Sequence, residues 1–143
     1  MPSELKHNPA PLVACIDANV FLSALAFDGI PERVVDRLLA EEFAHVTGDN
    51  ILAEVRRNAV GKLRLSAARV DAVLDDIRAA SSVYRPSGQV KYIPYAKDSL
   101  VLEVAFAGSC TVLVTGDRKH LLPLSPFHGL ILEPPAAFLK RLP

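Results

Sequence analysis

Apolar positions change period along this 143-residue chain. Two short runs, Leu12-Val13-Ala14-Cys15-Ile16 and Thr111-Val112-Leu113-Val114-Thr115, are nearly unbroken and rich in β-branched residues. That is the pattern of strands buried on both faces. Further strands are expected at about 43–47, at Ser82-Val83-Tyr84 and at 130–132. Between them apolar residues recur at helical spacing. Val34, Val35, Leu38 and Leu39 follow a break at Gly29-Ile30-Pro31, where Pro31 suits a first helical turn. Ile51, Leu52 and Val55 share a helix that starts near Asp49, read as its N-cap, and stops near Gly61. Val70, Val73, Leu74 and Ile77 follow Ser66, a second cap, and Val101, Val104 and Ala105 lie on a helix from about Asp98 to Ala107. Phe138 and Leu139 sit on a last helix opened by Pro134-Pro135. The stretch after the first strand is also helical, and its Phe21, Leu22, Leu25 and Phe27 read as core rather than interface. Strands alternating with helices imply right-handed crossovers and a parallel sheet covered on both sides. The expected architecture is a three-layer α/β/α sandwich with a mostly parallel central sheet. It forms one domain over 12–143, behind a flexible lead-in at 1–11.

Composition narrows the class. Half of the residues are hydrophobic and 22% are charged, which supports a full core and argues against disorder. No apolar run approaches the roughly 20 residues of a membrane span. The lead-in carries Lys6 and the prolines Pro2, Pro9 and Pro11 but no apolar segment, so a cytoplasmic protein without a secretory signal is expected. Cys15 and Cys110 lie in or beside predicted strands and read as reduced, buried thiols. Zinc is disfavoured, because no Cys or His pair has ligand spacing.

Chemistry enters through four acids. Asp17 follows the first apolar run, in Ile16-Asp17-Ala18-Asn19, and Asp117 follows the second, in Val114-Thr115-Gly116-Asp117. An acid just beyond a parallel strand points into the crevice where open α/β sheets bind ligands. Glu54 lies roughly 60° from Ile51 and 100° from Val55 around its helix, on the border of the apolar face. A carboxylate there needs a partner, either Arg56 or Arg57 or a cation. Asp98 opens its helix, whereas Glu103 lies about 140° further round and reads as peripheral. Several carboxylates in one crevice repel one another unless a cation joins them, and oxygen donors suit Mg²⁺ or Mn²⁺. Asn19 and Thr115 offer polar support beside the crevice.

Net formal charge is zero, with 16 basic and 16 acidic residues, which gives a polyanionic partner no support. With the four acids neutralised by metal, the same basic residues outnumber the remaining acids, so such a partner is not excluded either. Arg56, Arg57, Lys62, Arg64 and Arg69 cluster near the Glu54 helix and read as solvated faces. Arg118 and Lys119, beside Asp117, are the better candidates for phosphate contact. His120 reads as a surface or capping residue, and His7, His45 and His128 show no partner pattern. A phosphatase using two aspartates two residues apart is disfavoured, because the second position is Asn19. A receiver-type signalling domain lacks its paired acids, and no glycine-rich nucleotide loop is present.

Four stretches then carry a resemblance: Ile16-Asp17-Ala18-Asn19-Val20, Ile51-Leu52-Ala53-Glu54-Val55, 98–105, and Leu113-Val114-Thr115-Gly116-Asp117. In order and spacing the chain resembles a PIN domain, the fold of many VapC-like toxins. It is most similar to the PIN-family toxin components of toxin–antitoxin systems. The resemblance implies that Asp17, Glu54, Asp98 and Asp117 form a catalytic, metal-binding cluster, with Asn19 and Thr115 in support. It also implies a Mg²⁺- or Mn²⁺-dependent ribonuclease with an RNA substrate, a cognate antitoxin protein and a homodimer. Two departures stand out. Ala18 replaces the family's usual Thr, and Pro94-Tyr95-Ala96-Lys97 replaces a stretch that usually contributes one more acid. The second bears on how many ions are held. The alternative is a catalytically weak PIN domain that binds RNA or a protein.

Overall fold

The structure is a computed structural model that describes residues 11–143, so the expected lead-in lies outside the described residues but for Pro11. Five strands, β1 (Val13–Ile16), β2 (Ala44–Gly48), β3 (Ser81–Tyr84), β4 (Val112–Val114) and β5 (Ile131–Glu133), pair in the order β3-β2-β1-β4-β5. All four pairings are parallel. The helices among them are α1 (Ala18–Ala26), α2 (Ile30–Leu39), α3 (Asp49–Gly61), α4 (Ala67–Ala79), α5 (Ala96–Ala107) and α6 (Pro135–Leu139). A short 3₁₀ turn spans Leu122–Leu124.

Alternation along β2 separates the layers. His45 faces Phe21 of α1 on one side of the sheet. Its neighbour Val46 faces the other side and packs on Gly108 at the end of α5, where a Cβ would come within 2.4 Å of Val46 Cγ1. Cys15, Ile16, Leu113 and Val114 are fully buried between these layers, as strands covered on both faces require. The expected three-layer α/β/α sandwich is the observed fold.

The chain builds outward from β1 to β2 and β3, then crosses back to place β4 and β5 on the other side of β1. The order therefore reverses between β1 and β4, and a crevice opens at their carboxyl ends. Ile16 stands opposite Val114, and the Asp17 N–H donates to the Val114 carbonyl at 2.9 Å. This register makes Asp17 and Thr115 emerge side by side.

Local details differ from the sequence expectation in four places. Gly48, not Asp49, is the N-cap of α3, and Asp49 begins the first turn, where it pairs with Arg78. Helix α5 starts two residues earlier than expected, at Ala96, with Tyr95 as its N-cap. Phe27 is 72% exposed rather than core, because α1 stops at Ala26 and Phe27 lies beyond its buried face. Leu39, the last residue of α2, is also exposed, where the chain turns away through Glu41 in the left-handed region. Ser66 does cap α4, its hydroxyl accepting from the Arg69 N–H. Cys15 and Cys110 are free thiols, Cys15 buried as expected and Cys110 only half-buried, and no described helix is long and apolar enough to cross a membrane.

Candidate functional site

Asp17 follows the last residue of β1 and caps α1. Its extended backbone lets the carboxylate turn back, so that Oδ1 accepts from the Ala18 N–H at 2.8 Å. The parallel register supplies the second anchor, because the Thr115 hydroxyl donates to Asp17 Oδ2 at 2.8 Å. The Asn19 amide donates to the same oxygen at 3.1 Å, and the Asn19 carbonyl accepts from the Gly116 N–H. Asn19 thus ties the two strand-end loops together. Asp17 is only 6% exposed. Burial pushes its pKa up to about 6, against the pull of the Thr115 and Ala18 hydrogen bonds, and the charges of Glu54 and Asp98 add to the rise.

Asp117 is fixed by its own turn, its Oδ1 accepting from the N–H groups of Lys119 and His120 at 2.9 and 3.1 Å. Gly116 before it is not demanded by space, since a Cβ would rest in ordinary contact 3.7 Å from Asn19 Oδ1. Glu54 comes from α3 and Asp98 from the first turn of α5. Asp17, Asn19, Glu54, Asp98 and Asp117 all line one pocket of about 300 Å³, together with Leu22, Lys97 and Val101. Thr115 stands fully buried behind Asp17. Glu103 points elsewhere and accepts from the N–H groups of Ser87 and Gly88, so it is peripheral as expected.

Two partners were not legible in the sequence. The counter-charge of Glu54 is Lys97, 3.3 Å away, whereas Arg56 pairs with Asp71 on α4. His120 is also more than a capping residue. Its Nδ1 lies 3.0 Å from Asp98 Oδ2 and 4.0 Å from Asp117 Oδ2. Its ring stacks on Tyr95, with centroids 3.5 Å apart and planes within 5°. A histidine three residues beyond Asp117 was the available signal, but its contacts with Asp98 and Tyr95 arise only from folding. Among the described residues, Asp98, Asp117 and His120 form the group whose ligand atoms lie within 4.8 Å of one another. Asp17 and Glu54 line the same pocket outside that tighter group.

This donor set fits a hard divalent cation. Four carboxylates with one imidazole at the edge suit Mg²⁺ or Mn²⁺. The upward push on Asp17 from neighbouring acids is the repulsion that a cation would relieve. Arg118 and Lys119 are exposed on the loop beyond Asp117.

A family model described as PIN domain matches residues 13–119. The chain belongs to the PIN domain family. This PIN domain is 31% identical over 108 residues to an uncharacterized protein of Methanocaldococcus jannaschii, an alignment covering 72% of the chain and 69% of the relative. Its fold is similar to that of VapBC2 from Rickettsia felis bound to a promoter DNA fragment, with a TM-score of 0.61 and 18% identity over 86% of this chain and 98% of the other. A toxin–antitoxin complex from Klebsiella pneumoniae matches with a TM-score of 0.60 and 15% identity, covering 82% and 95%. A protein of Pyrobaculum aerophilum matches with a TM-score of 0.60 and 18% identity, covering 91% and 88%. At these identities the structural likeness is one of fold.

Proposed function

We propose that this PIN domain is a metal-dependent endoribonuclease that hydrolyses phosphodiester bonds of RNA with Mg²⁺ or Mn²⁺. In this reading it is the toxin of a type II toxin–antitoxin pair, acting in the cytoplasm as a homodimer and held in check by a cognate antitoxin. The observation that carries the nuclease reading is the meeting of Asp17, Glu54, Asp98 and Asp117 around one pocket. That pocket sits where the strand order reverses, the expected place for a ligand in an open parallel sheet. The toxin role is supported by fold neighbours taken from toxin–antitoxin complexes.

The chain's own residues have separable tasks. Asp17, Glu54, Asp98 and Asp117 would hold the cation. Thr115 and Asn19 keep Asp17 oriented, and His120 does the same for Asp98. Arg118 and Lys119 meet phosphates at the rim. When bound, a divalent ion lowers the pKa of water and offsets charge that builds on the phosphate. No side-chain nucleophile is needed. The test is cleavage of single-stranded RNA by the full chain in Mg²⁺ or Mn²⁺ and in excess chelator. Cleavage confined to the metal-containing reactions is expected, and equal cleavage in chelator removes the proposal. For the toxin role, expression should arrest growth, and co-expression of a small neighbouring gene should relieve the arrest.

Two observations favour a weaker catalyst that acts by binding RNA or protein. Lys97 already neutralises Glu54, and the stretch 94–96 contributes no extra acid. A Mn²⁺ titration separates the two readings. RNA retention without Mn²⁺ binding supports the binding module.

A further inference from the structure

We propose that the outer face of Tyr95 is a stacking platform for one base of a single-stranded nucleic acid whose phosphate lies in the acid pocket. The inference rests on the nuclease reading above and concerns how the strand is seated.

Tyr95 is the N-cap of α5, three residues before Asp98. The Asp98 carboxylate, the His120 imidazole and the Tyr95 phenol follow one another outward from the pocket. The first two are joined at 3.0 Å, and the two rings are stacked at 3.5 Å. One face of the phenol is therefore covered by the imidazole, yet Tyr95 remains 48% exposed. The imidazole covers only one face, so that exposure lies elsewhere on the residue. The ring spacing and near-parallel planes are those of stacked bases, so a nucleobase on the free face would extend an existing column by one layer.

Tyr95 is held by its stack on His120 and by its carbonyl, which accepts from the Ser99 N–H at 2.8 Å, and the loop before it is tied down as well. Glu103 fixes the N–H groups of Ser87 and Gly88. The Ser99 hydroxyl accepts from the Tyr92 N–H at 2.9 Å, and the Tyr92 ring packs on Phe106. An exposed aromatic ring on a pinned loop does not serve the core. Its surroundings match a polyanion carrying flat apolar groups. Lys97 is largely exposed beside Asp98, and Arg118 and Lys119 are exposed beyond Asp117. A second pocket of about 230 Å³ is lined by Val90, Ile93, Pro94 and Leu100, with Lys91 among its lining residues. Stacking on aromatic rings along a basic track is how single strands are held without base-specific hydrogen bonds. A base inside a duplex has no free face to offer, so the strand must be unpaired here.

The experiment uses the full chain and a 2′-O-methyl single-stranded oligonucleotide carrying one 2-aminopurine, whose fluorescence falls on stacking, in the presence of Mn²⁺. The wild type is expected to quench the probe. Tyr95→Ala should bind it about tenfold more weakly and without quenching, whereas Tyr95→Phe should retain both properties. On cleavable RNA, Tyr95→Ala should raise KM by about the same factor and leave kcat within about twofold. Mn²⁺ affinity, read by electron paramagnetic resonance, should not move. Wild-type binding and quenching by Tyr95→Ala overturn the proposal. So does a joint fall of kcat and Mn²⁺ affinity, which would make Tyr95 a prop for His120. Absence of metal-dependent cleavage by the wild type strikes the nuclease reading instead, and intact cleavage with an indifferent Tyr95→Ala strikes only the platform.

Discussion

Asp17, just beyond β1, and His45, on the neighbouring β2, are both buried titratable groups, and they have opposite meanings. His45 on β2 is 3% exposed and lies edge-on to Phe21 and Phe43, with ring centroids 5.9 and 6.3 Å away. Its Nδ1 is 2.7 Å from the Ser81 hydroxyl, which itself donates to the Ile77 carbonyl. The imidazole must therefore donate from Nδ1, and its bare Nε2 has no partner. Burial pushes the His45 pKa down to about 3, as it pushes that of Asp17 up to about 6. In each case the low-dielectric surroundings disfavour the charged form. The difference lies in the company. His45 is enclosed by aromatic rings, whereas Asp17 opens on a pocket where Glu54 and Asp98 add their charges. Burial of a titratable group records an energetic cost. Only the meeting of like charges on open space marks a place for a ligand.

The contrast is most sharply tested by removing each group. Asp17→Asn should lower Mn²⁺ affinity and RNA cleavage by at least about 100-fold, more than the loss of a supporting residue behind a ligand. His45→Leu should leave both within about twofold. Undiminished Mn²⁺ binding by Asp17→Asn would take Asp17 out of the site.

A smaller effect comes from the support of Asp17. Thr115→Val removes a hydroxyl that donates to its carboxylate and should weaken Mn²⁺ binding by about 10- to 100-fold. A cation requires the ionised acid, so affinity should be flat above the Asp17 pKa of about 6 and fall as pH drops through it. The Thr115 bond favours the charged form. Its loss should therefore move the fall to higher pH. A profile that weakens without shifting would contradict this account. At the rim, His120→Ala leaves Asp98 without its 3.0 Å partner and should cost about tenfold in Mn²⁺ affinity. No change there would mean that the imidazole serves Tyr95 alone.

The last prediction concerns stability and leaves function untouched. The folded state keeps His45 neutral to about pH 3 against an ordinary 6.5, so its contribution is full above 6.5 and is lost as pH falls. Asp17 runs the other way. The folded chain keeps a proton that the unfolded chain releases from 3.8 upward, so its contribution declines as pH rises toward about 6. Between pH 4 and 6 the two oppose each other. Unfolding free energies from urea titration should rise for His45→Leu relative to the wild type as pH falls, by up to about 1.4 kcal/mol per pH unit. Parallel pH dependences for the two proteins would refute the assignment of a neutral buried His45.

Order and type of the elements were legible because each depends on the spacing of residues within one segment. An unbroken run such as 12–16 must be covered on both faces, and alternation with amphipathic helices leaves a layered parallel sheet as the answer. The four acids could be singled out in the same way, since each stands at a strand end, at a helix start or on the border of an apolar stripe. What they meet is a different matter. Thr115 reaches Asp17 across 98 residues because Ile16 and Val114 are register partners. Lys97 reaches Glu54, and Tyr95 reaches His120, because the fold brings the start of α5 to the same pocket as α3 and the loop after β4. Periodicity belongs to a segment and can be read from it. Contact between distant side chains depends on strand order and register, which no single segment contains, so only the folded chain could pair these groups.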